Sequence, residues 1–380
     1  MKTTQLLYIL LTVALLCSCD GNRLNPGNNK KPSGTGADSY PESVLKWGLK
    51  DLAQALDLTV GAEFTYSEYS NDDSLKVILK RDFAATTFGN EMKHDNIVGK
   101  DGTIGFSRAD IMAGWAADCR LELFGHTLGW HSQQQCDYLD PLIAGAPNDE
   151  AAAALVRQSY KKWVEAMVSH FDVYGWDVVN EVFTSEGEWR TSAVSDGNSY
   201  HKFLWGAYYE GGTKAFVDSA FRFARETLER SGKTADLYIN DYSLEWSNAK
   251  LEALCKYAES NPDVTGVGTQ MHINANVNRD NVRSMLQRMV RTGKKVRISE
   301  LDVTADTVDQ GETIVYIFDQ YLKIVPKEQR GGITFWGVSD KNSWLGAAKE
   351  PLLYDKNYKR KDAYLKLHAY LLEASGLDMK

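Results

Sequence analysis

From residue 43 to near the C-terminus, two hydrophobic rhythms alternate along the chain. Stretches whose apolar residues recur three and four positions apart predict helices over 43–56, 107–118, 148–170, 213–231, 247–260, 278–292, 310–325 and 361–373. Several carry the stop that a helix needs: Gly232 and Gly293 follow the fourth and sixth, and Pro262 lies just beyond the fifth. Between them, short apolar runs over 58–64, 81–88, 121–128, 173–179, 236–239, 264–269, 295–298 and 332–336 predict strands. Eight strands alternating with helices point to a parallel α/β architecture, and the count fits a single (β/α)8 TIM barrel better than an open doubly wound sheet. No glycine-rich phosphate loop follows the first strand, so a dinucleotide-binding fold lacks its usual support. With no internal repeat, second linker or charge block after residue 40, one domain is expected over 42–378.

What precedes that domain reads as an address. Met1-Lys2 leads into an apolar run over 6–16, too short to span a bilayer as a helix, which marks a secretory signal over 1–18. The run ends in Leu16-Cys17-Ser18-Cys19, which resembles the lipobox of bacterial lipoproteins, where cleavage leaves a new N-terminal cysteine for acylation. Cys19 is therefore the candidate lipidation site, and the expected location is the cell envelope, lipid-anchored to a bacterial outer membrane. An ordinary cleaved signal on a secreted protein is the alternative. Residues 20–39 hold almost no apolar side chain and much Asn, Gly, Pro and Lys, so 19–41 is expected to be a flexible tether.

Composition narrows the classes further. Hydrophobic residues at 43% and charged ones at 25% exclude wholesale disorder, collagen and a disulfide miniprotein. Lys plus Arg total 43 against 51 Asp plus Glu, a net charge of −8 that opposes a nucleic-acid partner. Beyond Cys17 and Cys19, the cysteines Cys119, Cys136 and Cys255 form neither a short-spaced pair nor a zinc motif, and core filling is their default reading. The aromatic share of 11% serves equally as core material or as platforms for sugar rings.

More informative is where the polar residues fall. Asn90, His126, Asn180-Glu181, Asn240-Asp241, Gln270, His272, Glu300 and Trp336 lie at or just beyond the C-terminal ends of predicted strands, the end at which a barrel carries its active site. Glu181 and Glu300 follow apolar runs on the fourth and seventh strands. Across a barrel mouth such a pair can flank one bond, one acid protonating a leaving oxygen and one carboxylate meeting an anomeric carbon.

At this point the chain resembles the endo-β-1,4-xylanases of glycoside hydrolase family 10. The motifs that carry the resemblance are GNEMKHD (89–95), GHTLGWHSQ (125–133), WDVVNE (176–181), YINDY (238–242), GVGTQMH (266–272), ISELDV (298–303) and TFWGVSDKNSW (334–344). Their order runs from the second strand to the eighth. The resemblance implies a retaining barrel enzyme acting on xylan, with Glu181 as acid/base, Glu300 as nucleophile and Asn180 bonding the 2-hydroxyl of the sugar being cleaved. That division asks for a proton donor with a raised pKa and a nucleophile kept ionised by hydrogen-bond donors. It also implies Gln270 and His272 in the same mouth, with His272 the partner of Glu300. Lys93, His126 and Trp130 fall around the reacting sugar, Asn90 and Gln133 at the neighbouring glycone site, and Trp336 and Trp344 as an aromatic cover.

Other readings compete at several of these positions. His126, His131 and His272 raise the question of zinc, but no HxH or HExxH spacing accompanies them and no metal or other cofactor is expected. For His131 a core position is as good a reading as a site role, and for Asp241 and Asp302 a supporting role is the better one. The family commonly has Glu and Trp where this chain has Gly89 and His94, and often Arg where it has Phe124. These departures predict a weakened second glycone site and an open mouth at Gly89, unless Glu91 or His94 substitutes. The expected partners are xylan and xylo-oligosaccharides, the membrane only through Cys19, and the expected state is a monomer. A retaining glycanase of another β-linked glucan, or of aryl glycosides, is the rival enzyme. A non-catalytic glycan-binding lipoprotein on a decayed barrel is the rival from another class.

Overall fold

The computed structural model describes residues 45–193 and 202–377. The expected signal, the lipidation site Cys19 and the tether lie outside the described residues. The first third of the fold runs α1 (Leu49–Gln54), β1 (Val60–Phe64), α2 (Tyr66–Asn71), α3 (Asp73–Asp82), β2 (Ala85–Phe88), α4 (His94–Ile97) and α5 (Ser107–Asp118). Next come β3 (Glu122–Gly129), α6 (Cys136–Ala144), α7 (Asp149–His170), β4 (Gly175–Asn180), α8 (Gly212–Ser231), β5 (Asp236–Asp241) and α9 (Asn248–Ser260). The last third holds β6 (Gly266–Thr269), β7 (His272–Asn274), α10 (Arg279–Val290), β8 (Lys295–Thr304), α11 (Gln310–Ile324), β9 (Arg330–Phe335) and α12 (Asp362–Ser375).

Eight of the strands pair in parallel and close on themselves in the order β1, β2, β3, β4, β5, β6, β8, β9 and back to β1. The barrel expected from the alternation is therefore present. The extra strand, β7, continues the line of β6 after a break at Gln270 and Met271: β6 pairs with the first half of β8 and β7 with its second half, His272 opposite Asp302. Met271 turns the backbone there with φ of 59°. Gln270 thus lies in the break and His272 opens β7, beyond the strand expected over 264–269.

Strands and helices share a continuous apolar core, in which Val60, Val178, Ile239, Val267, Ile298 and Ile333 are fully buried. A charge sits inside it. Arg297, 1% exposed, lies 3.6 Å above the ring of Phe124 and donates to Thr87 Oγ1 at 3.2 Å and Thr334 Oγ1 at 2.9 Å. Phe124 stands where the resemblance leads one to expect an arginine, and here a guanidinium from β8 stacks on its ring.

The sequence expectations need three corrections. The second strand candidate, 81–88, begins too early: Arg81 and Asp82 close α3, which the periodicity missed because no Gly or Pro separates its end from the strand. Second, α1 is shorter than the expected 43–56, of which residues 43 and 44 lie outside the described residues. Third, α2, α4 and α6 were not anticipated; they are short, and α6 carries Pro141 inside it. Cys119, Cys136 and Cys255 are free thiols, two of them buried.

Barrel closure has its own anchor. Asp82, fully buried at the end of α3, accepts from the backbone of Leu49 at 3.3 Å and from Tyr364 Oη at 2.8 Å. Its other oxygen accepts from Arg81 at 2.7 Å and from Tyr354 Oη. One carboxylate thereby joins the first helix to the last.

Candidate active site

At the C-terminal ends of the strands lies a cleft of about 720 Å³. It is lined by all twelve residues placed in a site from the sequence: Asn90, Lys93, His126, Trp130, Gln133, Asn180, Glu181, Gln270, His272, Glu300, Trp336 and Trp344. A break in strand alternation explains part of this convergence. The pairing of β8 with β9 shifts register between Ile298 and Leu301, and the neighbouring Ser299 and Glu300 both reach Asn240.

Glu181 requires more than a strand. It follows β4 with φ of 60°, a left-handed backbone that costs a non-glycine residue about 1 kcal/mol or more. Two contacts hold it there: Glu181 N donates to Asn240 O at 2.9 Å, and Arg190 Nε donates to Glu181 O at 2.7 Å. The turn after it is fastened by Asp241, which accepts from Phe183 N at 3.2 Å and pairs with Lys250 at 2.6 Å. Burial pushes the Asp241 carboxyl up to about 6 despite that lysine.

Three amides connect the two carboxyl groups. Gln270 Nε2 donates to Glu181 Oε1 at 3.0 Å and to Asn180 Oδ1 at 3.2 Å. Asn240 Nδ2 donates to that same Asn180 oxygen at 3.0 Å and to Glu300 Oε1 at 2.9 Å. Ser299 Oγ donates to Asn240 Oδ1 at 2.8 Å, which fixes the amide's orientation. Neither Asn240 nor Ser299 was given a role from the sequence. Asn240 was visible as a polar residue at a strand end; Ser299 carried no signal.

Around Glu300 the charges are arranged for an anion. Its second oxygen lies 3.2 Å from His272 Nε2, while His272 Nδ1 lies 2.8 Å from Asp302, and Trp344 Nε1 donates to the same Asp302 oxygen at 2.8 Å. Burial works against a charged imidazole, but Asp302 and Glu300 outweigh it and raise His272 to about 10. For Glu300 burial alone would raise the carboxyl; the hydrogen bond from His272 and the charges of His126, His272 and Lys93 bring it below its ordinary value.

On the opposite wall, Lys93 Nζ donates to Gln133 Oε1 at 2.7 Å and lies 4.9 Å from the centre of the Trp130 ring. Gln133 Nε2 donates in turn to Asn90 Oδ1 at 3.1 Å. His126 is fixed by Asp177 at 2.9 Å, and His131 Nε2 lies 3.9 Å from Glu181 Oε2. Trp336 meets both His126 and His272 edge-on, at 5.4 and 6.4 Å between ring centres. Trp344 is 60% exposed, so its free face is open to whatever enters the cleft.

Two of the expectations at the departures are corrected. His94 is buried between Trp163 and Trp205, its Nδ1 accepting from Gln135 N at 3.0 Å, so it does not reach the cleft. Glu91 is spent on the backbone N–H groups of Tyr66 and Asn90, at 2.8 and 3.3 Å. Nor is the mouth open at Gly89, because a Cβ there would overlap Glu63 Oε1 and lie 2.9 Å from Glu63 Cδ.

Residues 48–370 match the model of glycosyl hydrolase family 10. The chain belongs to that family. Among curated relatives it is 26% identical over 355 residues to an exoglucanase, XynX, of Acetivibrio thermocellus, covering 88% of this chain and 31% of that protein. It is 29% identical over 361 residues to an endo-β-1,4-xylanase, Xyn10C, of Cellvibrio japonicus, covering 83% of this chain and 56% of that one. The chain thus spans from under a third to just over half the length of these relatives. Among solved structures, xylanase 10B of Thermotoga petrophila in complex with xylobiose superposes with a TM-score of 0.72 at 27% identity, covering 86% of this chain and 98% of that one.

Proposed function

We propose that this family 10 glycoside hydrolase is a retaining endo-β-1,4-xylanase, with Glu300 as nucleophile and Glu181 as acid/base. The observation that carries the reading is the pair of carboxyl groups joined through Gln270, Asn180 and Asn240 but set in different surroundings. Glu300 accepts from Asn240 and faces the charged His272, so it is kept ionised for attack. Among the described residues Glu181 Oε1 accepts from the amides of Gln270 and Asn180 at 3.0 and 3.2 Å, while its second oxygen, 3.9 Å from His131 Nε2, faces the cleft to carry a proton toward a leaving group.

In the first step Glu300 attacks the anomeric carbon while Glu181 gives its proton to the departing glycosidic oxygen, so the C–O bond breaks and a glycosyl ester forms. In the second, Glu181 takes a proton from water, which attacks the same carbon and releases Glu300. Two inversions leave the configuration unchanged. Asn180 Nδ2 donates to Glu181 Oε1 at 3.2 Å, and in this reading the same N–H turns to the 2-hydroxyl of the sugar being cleaved. The xylobiose complex of the Thermotoga petrophila xylanase and the Cellvibrio japonicus relative's name support xylan as substrate; the Acetivibrio thermocellus relative is named an exoglucanase, which keeps a glucan as the rival. The same proposal holds the enzyme to a membrane through an acylated Cys19.

Release of reducing sugar from purified xylan, cellulose and mixed-linkage glucan separates the substrates, and xylan is expected to be cleaved fastest. Proton NMR of the first product should show the β-anomer. Glu300→Ala should abolish all cleavage. Glu181→Ala should lose xylan yet still form the glycosyl-enzyme from aryl glycosides with acidic phenols, and azide should restore its turnover. An initial α-anomer, or two variants equally inactive on both substrates without azide rescue, would refute the assignment.

A further inference from the structure

Three carboxyl groups stand near β1 at this end of the barrel, Glu63 and Glu68 in the cleft wall and Glu91 outside it. Two are consumed locally: Glu68 accepts from Thr65 N and Oγ1 at 2.6 and 2.8 Å, and Glu91 accepts from Tyr66 and Asn90 as described. Glu63 is different. It is 7% exposed, it lines the cleft, and among the described residues it makes no hydrogen bond or ion pair. Burial, then the charges of Glu68 and Glu91, push its carboxyl well above the ordinary range, against the pull of Lys93. A carboxyl that faces the cleft with no protein partner contributes nothing visible to folding and is free to meet a ligand.

Its position is permitted by one other residue. Gly89 closes β2 beside β1, and its φ is not in the left-handed region; what a side chain there would meet is the Glu63 carboxyl itself. Position 89 therefore needs glycine for the room it leaves, not for backbone freedom. Position 63 and position 89 compete for one volume, beside Asn90 and Lys93 on the Gln133 wall.

We propose that Glu63 is a specificity-determining residue that binds a hydroxyl of the sugar adjoining the one cleaved on its glycone side, from the space left by Gly89. This rests on the xylanase reading above. A carboxyl group accepts in either protonation state and also donates an O–H when protonated, which suits a sugar hydroxyl that both gives and receives. It makes no hydrogen bond to Glu300, and so stands outside the reacting pair.

The experiment compares aryl β-xyloside, with one glycone sugar, and aryl β-xylobioside, with two. Glu63→Ala should lower kcat/KM on the xylobioside about tenfold, mostly through KM, and change the xyloside less than twofold. Glu63→Gln keeps a donor and an acceptor in the same shape and should retain most of the wild-type value, which a merely structural loss would not do. Gly89→Glu should impair the xylobioside, whereas Glu63→Ala with Gly89→Glu should regain part of the loss, since one carboxyl again occupies the shared volume. Thermal unfolding of each variant shows that it is folded. Equal losses on both glycosides, an unchanged xylobioside value for Glu63→Ala, or a double variant no better than Glu63→Ala would overturn the proposal while wild-type xylan cleavage stands. A wild-type enzyme inert on xylan and on both glycosides would instead bring down the reading beneath it.

Discussion

His272 sits between two carboxylates, and that placement fixes the sign of the site's pH response. Raised to about 10 from an ordinary 6.5, the imidazole is charged throughout the neutral range. Its contribution to stability is fully present below about 6.5 and is lost as pH rises through about 10. Glu300 runs the other way: its lowered carboxyl contributes stability above its ordinary value, which is lost as pH falls through the folded one. His272→Ala removes both the hydrogen bond and the nearest positive charge from Glu300, leaving burial to raise the carboxyl. The acid limb of kcat/KM should accordingly move to higher pH in His272→Ala, as a pH–rate profile on an aryl xylobioside would show. An acid limb that stays in place would mean that Asn240 and Lys93 alone keep Glu300 ionised. Individual residues differed in how legible they were. Glu181 and Glu300 stood out because each charge ends an apolar run; Glu63 did not, because Val60 to Phe64 reads as one buried strand and hides the carboxyl inside it.

At the scale of elements, alternation made the strands legible and chain breaks set the limits. Where Gly232, Pro262 and Gly293 punctuate the sequence, the expected helices and the observed α8, α9 and α10 agree to within two residues at each end. No such residue separates α3 from β2, so an amphipathic helix and a buried strand merged into one apolar run. The break between β6 and β7 was equally invisible, since it rests on a left-handed Met271 and not on a glycine. The end of α3 offers a test of what fastens these elements. Asp82 is fully buried with a charged partner, so Asp82→Ala strands Arg81, two tyrosine hydroxyls and an N–H, and should lower stability by about 3–5 kcal/mol. Lys214→Ala removes an exposed pair with Asp218 on α8 and should cost under about 1 kcal/mol. Thermal and denaturant unfolding of both variants measures the contrast. Similar small losses would mean that apolar packing, and not the Asp82 network, holds α1 to α12.

Over the whole molecule, two of the three departures from the family's motifs have one physical form. Phe124 and Gly89 each lack an ionisable group, and in each case an ionisable side chain from another strand, Arg297 or Glu63, lies against the position. Motif comparison reads one strand at a time and cannot see a group supplied across the barrel. The same separation between chain and barrel governs the last prediction. Residues 20–39 hold almost no apolar side chain, and the family match begins at residue 48. Changing the proposed acylation site should then alter where the enzyme is without altering what it does. Cys19→Ser is expected to move the protein from the membrane fraction to the soluble one, with xylan-cleaving activity per molecule unchanged. Because one acyl chain binds reversibly whereas two or more hold firmly, wild-type protein should resist a high-salt wash and yield only to detergent. A Cys19→Ser protein that still pellets with membranes would leave an uncleaved signal or a separate surface as the anchor, and one released with reduced activity would show that the N-terminal segment touches the barrel after all.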